Sequence, residues 1–182
     1  MTLEFTTSYL QDSLAVFRSC KRLAERAMEQ VTDEQLFAVL DPEGNSIAII
    51  VKHMAGNMRS RWTDFLTTDG EKPNRNRDSE FVDAPASREV LMAEWEGGWE
   101  RVFTALEPLG EADLGRTVTI RGERHSVMQA VNRQLAHYSH HVGQIVFLAK
   151  HFACDHWKSL SVPRNQSEEF NRKVVAGETS QR

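Results

Sequence analysis

Apolar residues recur along the chain at three- and four-residue steps in four separate stretches, and each stretch predicts an amphipathic helix. From Thr7 to about Val31 the repeat is Leu10, Leu14, Phe17, Ala24, Met28 and Val31, with charges between. Thr6 or Thr7 suits its N-cap, and Thr32 with Gln35 spells a capping box for a short helical turn. After the breaker Asp41-Pro42-Glu43-Gly44-Asn45-Ser46, a second helix is expected from about Ile47 to Leu66, carried by Ile47, Ile50, Val51, Met54, Met58, Trp62 and Phe65. The third, about Ser87 to Leu106, uses Leu91, Trp95, Trp99, Val102 and Leu106. The fourth follows the N-cap Ser126 and reaches Phe152.

The breaks between these stretches differ in kind. Asp69 to Ala86 is rich in Pro, Gly, Asn, Asp and Arg without a period, so a long connection is expected, and long connections inside compact domains are often functional. Thr117 to Ile120, Arg121-Gly122 and Glu123 to His125 read as a short β-hairpin decorating the link between helices three and four. Gly97-Gly98 inside the third helix costs about 1 kcal/mol per glycine relative to alanine, which points to close approach of a backbone or ligand, or to a kink. Beyond Phe152 periodicity is lost. One domain over 1–173 is expected, with a small polar tail, 174–182, too poor in apolar residues to fold.

Four such helices with one long connection predict an all-α, four-helix bundle with the hairpin between its third and fourth helices. At 182 residues and 40% hydrophobic composition the chain suits one core. No stretch approaches the ~18 apolar residues of a membrane span, and the N-terminus lacks the basic-then-apolar order of a signal peptide, so a cytoplasmic protein without a membrane partner is expected. A net charge of −4 gives no basic field for nucleic acid, although Arg59, Arg61, Arg75, Arg77 and Arg121 form a potential local patch. Cys20 and Cys154 read as reduced thiols, and no CxxC pair is present to hold zinc.

Candidate chemistry centres on the fourth helix. His137 and His141 are one turn apart on a face that borders the core, where their imidazoles can converge on one ion, whereas His140 points away. The competing reading makes one a hydrogen-bonded core residue and the other an edge residue. The second helix offers the only other helical candidate, His53, and packing against the fourth would bring it level with the pair. Three histidines with one open position form the ligand set of a catalytic divalent site. His53, Asn57, Ser60, Arg61 and Asp64 also make a polar seam along the second helix. A seam of this kind is ordinarily a solvated flank, yet Arg61 lies toward the core, where a guanidinium must be paired or used on a ligand.

The runs Ile-Val-Lys-His-Met-Ala-Gly-Asn (50–57) and Leu-Ala-His-Tyr-Ser-His-His-Val-Gly-Gln-Ile (135–145) resemble the DinB/YfiT-like family of metalloenzymes, over about Leu10 to Phe170. Asp-Gly-Glu-Lys-Pro (69–73) and Gln-Ser-Glu-Glu-Phe-Asn (166–171) look like an uncharacterised branch of it. The resemblance implies an up-down-down-up bundle, often dimeric. It implies that His53, His137 and His141 hold zinc, nickel or a similar ion, with iron and manganese as further candidates. Characterised members include thiol-dependent S-transferases and a thiol-dependent isomerase, alongside proposed hydrolases.

At such a site a divalent ion makes water or a thiol easier to deprotonate, with water reaching a pKa of about 7 on zinc. The expected activity is therefore transfer of a low-molecular-weight thiol to a small electrophilic substrate, or its hydrolysis. Asn57, Arg61, Gln134 and Tyr138 are the candidate supporting or substrate-contacting residues, although a core glutamine such as Gln134 is more often a hydrogen-bonded core amide and an aromatic at the angle of Tyr138 more often core packing. Tyr138 follows His137 where a zincin protease needs Glu, and no Gly-x-Ser-x-Gly elbow, P-loop or dinucleotide fingerprint is present. The alternative function is a non-catalytic homodimeric bundle in which the histidines are structural or a metal clips two helices together.

Overall fold

The computed structural model describes residues 5–179 and is mostly helical, with six α-helices and one two-stranded antiparallel sheet among those residues. Four helices are long: α1 (Phe5–Met28), α3 (Ile47–Trp62), α4 (Arg88–Leu106) and α5 (Val127–Ala153). Two are short, α2 (Asp33–Phe37) and α6 (Ser167–Val175). Helix α1 begins before Thr6 and Thr7, which therefore lie inside it and do not cap it.

The caps at the other starts follow the local sequence. Ser46, Ser87 and Ser126 each accept the backbone N–H three residues on, and Thr32 with Gln35 and Ser126 with Gln129 complete reciprocal capping boxes. Helix α3 stops at Trp62, four residues short of the expected Leu66, because Asp64 takes a left-handed φ of 48° and the chain turns away.

Helix α3 lies chiefly along α4, α1 along α5, and α3 also meets α5. Their shared interior holds Phe17, Trp62, Trp95, Trp99 and Tyr138, with Phe17 in edge-on or tilted contact with three of the other rings. Gly98 is one reason α3 and α4 come so close. A Cβ at Gly98 would stand 3.2 Å from Ala55 Cα and 3.0 Å from Met58 Sδ, whereas one at Gly97 would meet nothing. The close approach read from the sequence thus belongs to one glycine of the pair.

The sheet is the expected hairpin, β1 (Thr117–Ile120) against β2 (Glu123–Ser126), with Ile120 opposite Glu123. Both turn residues are left-handed, Arg121 at φ 56° and Gly122 at φ 78°, as a two-residue hairpin turn demands. It is not decoration. Gly70 donates to Thr119 O at 2.7 Å, and both oxygens of Asp69 accept from the turn, from Arg121 N and Gly122 N at 2.8 Å each. The hairpin thereby anchors the start of the 69–86 connection.

Five further hydrogen bonds, from Ser60 and Lys52, hold that connection against α3. Ser60 Oγ donates to Gly70 O and accepts from Lys72 N, both at 3.0 Å. Lys52 Nζ donates to the carbonyls of Ser79, Val82 and Asp83 at 2.7–2.9 Å, closing the far end around a 3-10 turn at Asp78–Phe81. His53, Asn57, Ser60 and Arg61 are consequently buried, and of the polar seam only Asp64 is exposed. The solvated-flank reading of that seam fails because the connection lies over it.

Helix α6 lies where no periodicity was expected; none of its residues is fully buried, and its apolar side is short, Phe170 and Val174 one turn apart and half-buried. Its signal is electrostatic: Glu168 and Glu169 in the first turn, Arg172 and Lys173 in the last. It runs through Val175, into the segment expected to be a tail, and residues 180–182 of that segment lie outside the described residues.

Candidate metal centre

Helix periodicity brings the three histidines together. His137 and His141 are one turn apart on α5, and His53 faces them from α3. His137 Nε2 lies 3.3 Å from His53 Nε2 and 3.1 Å from His141 Nε2, and the three side chains each offer a nitrogen within 4.8 Å of the others, so the set can hold a metal ion. Two nitrogens on one tetrahedral zinc, at about 2.0–2.1 Å each, stand about 3.3 Å apart. The observed spacings fit that edge.

The outer nitrogens say which tautomers are present. His53 Nδ1 stands 2.9 Å from Glu80 Oε2, and His141 Nδ1 stands 2.7 Å from Gln144 Oε1. Each oxygen accepts, so each Nδ1 carries the proton and each Nε2 turns a lone pair inward. Both short distances are to His137 Nε2, which either donates an N–H to one neighbour or, as a third lone pair, needs a cation between the rings. His137 and His141 also resist protonation: burial, then the neighbouring His141 and His53, lowers His137 to about 3, and burial, opposed by the Gln144 hydrogen bond and aided by His53 and His140, lowers His141 to about 4. Neutral imidazole, favoured in this way at His137 and His141, is the form that binds metal.

Glu80 is the supporting residue that sequence reasoning missed. It sits in the 3-10 turn of the 69–86 connection and is 6% exposed. Arg75 grips it with two bonds, Nε to Oε1 and Nη2 to Oε2, both 2.8 Å. Burial pushes its carboxyl up, but the hydrogen bonds from His53 and Arg75 and the Arg75 charge outweigh that, so its pKa lies below the usual carboxylate range. Gly56 makes the room. A Cβ there would stand 2.4 Å from Glu80 Oε1 and 2.7 Å from Cδ. Gln144 was also missed, although its place three residues after His141 on one helix was a usable signal.

A cavity of about 330 Å³ opens beside His53 and His137, walled also by Asn57, Gln134 and five arginines. Three of the four expected contact residues therefore line it. Asn57 is held from behind, its Oδ1 accepting from Tyr138 at 3.1 Å. Arg61 and Gln134 are buried, and Arg61 Nε and Nη1, Gln134 Oε1 and His137 Nδ1 have no hydrogen-bond partner among the described residues.

Tyr138 is the exception to the expected set, and it does not line the cavity. Its hydroxyl accepts from Trp62 Nε1 at 2.9 Å and donates to Asn57, and burial raises its pKa. Position 138 projects from α5 into the aromatic interior, so core packing wins there. Cys20 is likewise a core residue whose thiol burial pushes up. His140, His151 and His156 are exposed, and His125 is half-buried in the hairpin.

No helix among the described residues is long and apolar enough to cross a membrane. Among curated proteins none matches the chain. Residues 4–166, nearly its whole length, match DUF1572, a family of proteins of unknown function, and the chain belongs to that family.

Proposed function

We propose that this protein is a metal-dependent enzyme on a DinB/YfiT-like four-helix bundle, with His53, His137 and His141 as ligands of a divalent ion. The observation that carries this reading is the set of inward Nε2 atoms, 3.1 and 3.3 Å apart, with the Nδ1 protons of His53 and His141 committed to Glu80 and Gln144. An all-imidazole set suits zinc or nickel, then iron or manganese, and does not suit magnesium or calcium.

The chain's own groups divide the work. Glu80, gripped by Arg75, orients His53, and Gln144 orients His141. Asn57, Gln134 and the guanidinium groups bind and position a substrate in the cavity, whose lining residues include no carboxylate. The ion, when bound, supplies Lewis acidity and makes a nucleophile available from water or a thiol at neutral pH. The reaction class is transfer of a small thiol to a small electrophile, or hydrolysis of that electrophile, by a cytoplasmic homodimer.

The test is turnover of thiol–electrophile pairs and activated esters by protein loaded with zinc or nickel. Loss of both metal and turnover in His53→Ala, with the helical circular dichroism intact, is the expected result. Full turnover in chelator-stripped protein would overturn the reading. Retained metal with no turnover of any pair favours a non-catalytic clip between α3 and α5.

A further inference from the structure

The cavity beside the histidines is walled by positive charge. Arg61, Arg75, Arg77, Arg121 and Arg133 line it, and no carboxylate among the described residues does. The carboxylates behind the wall are already engaged. Glu80 is held by Arg75 and His53, and Asp69 accepts from the backbone N–H groups of Glu71, Arg121 and Gly122. Glu71 is shared by Arg75 at 3.1 Å, Arg121 at 3.2 Å and Arg61 at 3.8 Å. Arg77 lies over the Phe81 ring, 4.9 Å from its centroid, and neither Arg77 nor Arg133 makes an ion pair among the described residues.

Arg61 is the decisive group. It is 3% exposed, its nearest carboxylate is beyond hydrogen-bond distance, and Nε and Nη1 have no partner among the described residues. A guanidinium this buried, with Glu71 no closer than 3.8 Å, is costly for a fold to keep. Burial pushes its pKa down and outweighs the upward pull of Tyr138 and Glu71, and Arg75 and Arg121 push down as well. The surroundings nevertheless make room for it, since a Cβ on Gly70 would stand 2.8 Å from Arg61 Nη1. Arg121 is held at a second cost, in a left-handed turn position that favours Asn or Gly, where Asp69 fixes its N–H.

We propose that the cavity takes a small molecule by an anionic group, carboxylate or phosphate, seated on Arg61 and Arg121, with the reacting end of the molecule toward His53 and His137. The proposal names the substrate class of the metal centre and rests on that reading for where the reacting end lies. Guanidinium forks match the paired oxygens of both anions. The cavity volume suits a small metabolite and not a polymer.

The experiment is isothermal titration calorimetry of the full chain with inorganic phosphate and with succinate, against chloride at matched ionic strength. It is run on metal-loaded and chelator-treated protein, for wild type, Arg61→Met and Arg121→Asn. Wild type is expected to bind one of the two probes, and the one it binds distinguishes a phosphate from a carboxylate substrate. Arg61→Met should weaken that binding about tenfold or more, the loss of a charge-assisted contact, and Arg121→Asn should weaken it several-fold. Neither probe bound by wild type, or both variants binding as wild type does, overturns the proposal. Should Arg61→Met fail to fold, Arg121→Asn decides. Arg61-dependent anion binding by protein that takes up no metal upholds this inference and overturns the metal centre. Metal-loaded protein indifferent to both probes does the reverse.

Discussion

The two sides of the site are built in opposite ways. Around His53 and His141 the polar atoms are answered: Glu80 takes the Nδ1 proton of one, Gln144 that of the other, and Arg75 fixes Glu80 with a two-bond fork. Across the cavity, Arg61 Nε and Nη1, Gln134 Oε1 and His137 Nδ1 are buried without partners among the described residues. Buried polar groups are almost always satisfied, so the contrast separates a side that holds its own side chains still from a side shaped for something that arrives. Substitutions on the first should damage the protein. On the second they should leave it as stable or make it more so.

The largest effect is expected at Glu80. Glu80→Ala leaves Arg75 buried without its main partner and should cost about 3–5 kcal/mol in urea unfolding; a loss below 1 kcal/mol would mean the Arg75–Glu80 pair contributes little. Gly56→Ala comes next. Its methyl group displaces the Glu80 carboxylate, so metal affinity should fall about 10–100-fold by competition with a chromophoric chelator, the usual penalty for disturbing a ligand's supporting partner. Unchanged affinity would show that Glu80 does not tune His53.

On the other side the sign reverses. Arg61→Met removes a buried cation whose carboxylate neighbour, Glu71 at 3.8 Å, is shared with Arg75 and Arg121, and should raise stability by about 1–2 kcal/mol. A clear loss instead would mean that the Glu71 charge, 3.8 Å away, already satisfies Arg61. Arg121→Asn places a favoured residue at a left-handed turn position and should add about 0.5–1 kcal/mol, read as a small rise in melting temperature. Stabilisation by these two variants, together with weaker anion binding, is the signature of residues kept for a ligand at the expense of the fold.

The same division explains what could be read from the chain alone. The long helices and the approach of three histidines follow from 3.6-residue periodicity, because an apolar stripe has a direction and His137 and His141 share one. Arg61 was visible for a related reason, as a charge on the core side of an apolar helix. The supporting side was not visible. Glu80 lies 27 positions from His53, inside a connection with no period, and its carboxylate arrives only because Lys52, Ser60 and the Asp69–hairpin contacts lay that connection over α3. Reading the hairpin as decoration failed on the same point. Tyr138 could be read both ways, and its core packing follows because adjacency to His137 in sequence puts it about 100° away around the helix.

The most direct test of the metal centre is elemental mass spectrometry on untagged protein, wild type beside the His137→Ala/His141→Ala double variant. A metal held by the three inward nitrogens requires close to one equivalent of zinc, nickel, iron or manganese in wild type and almost none in the variant. Wild-type protein that carries no metal, even after reconstitution with each of these ions, would contradict it and leave the histidines as structural residues.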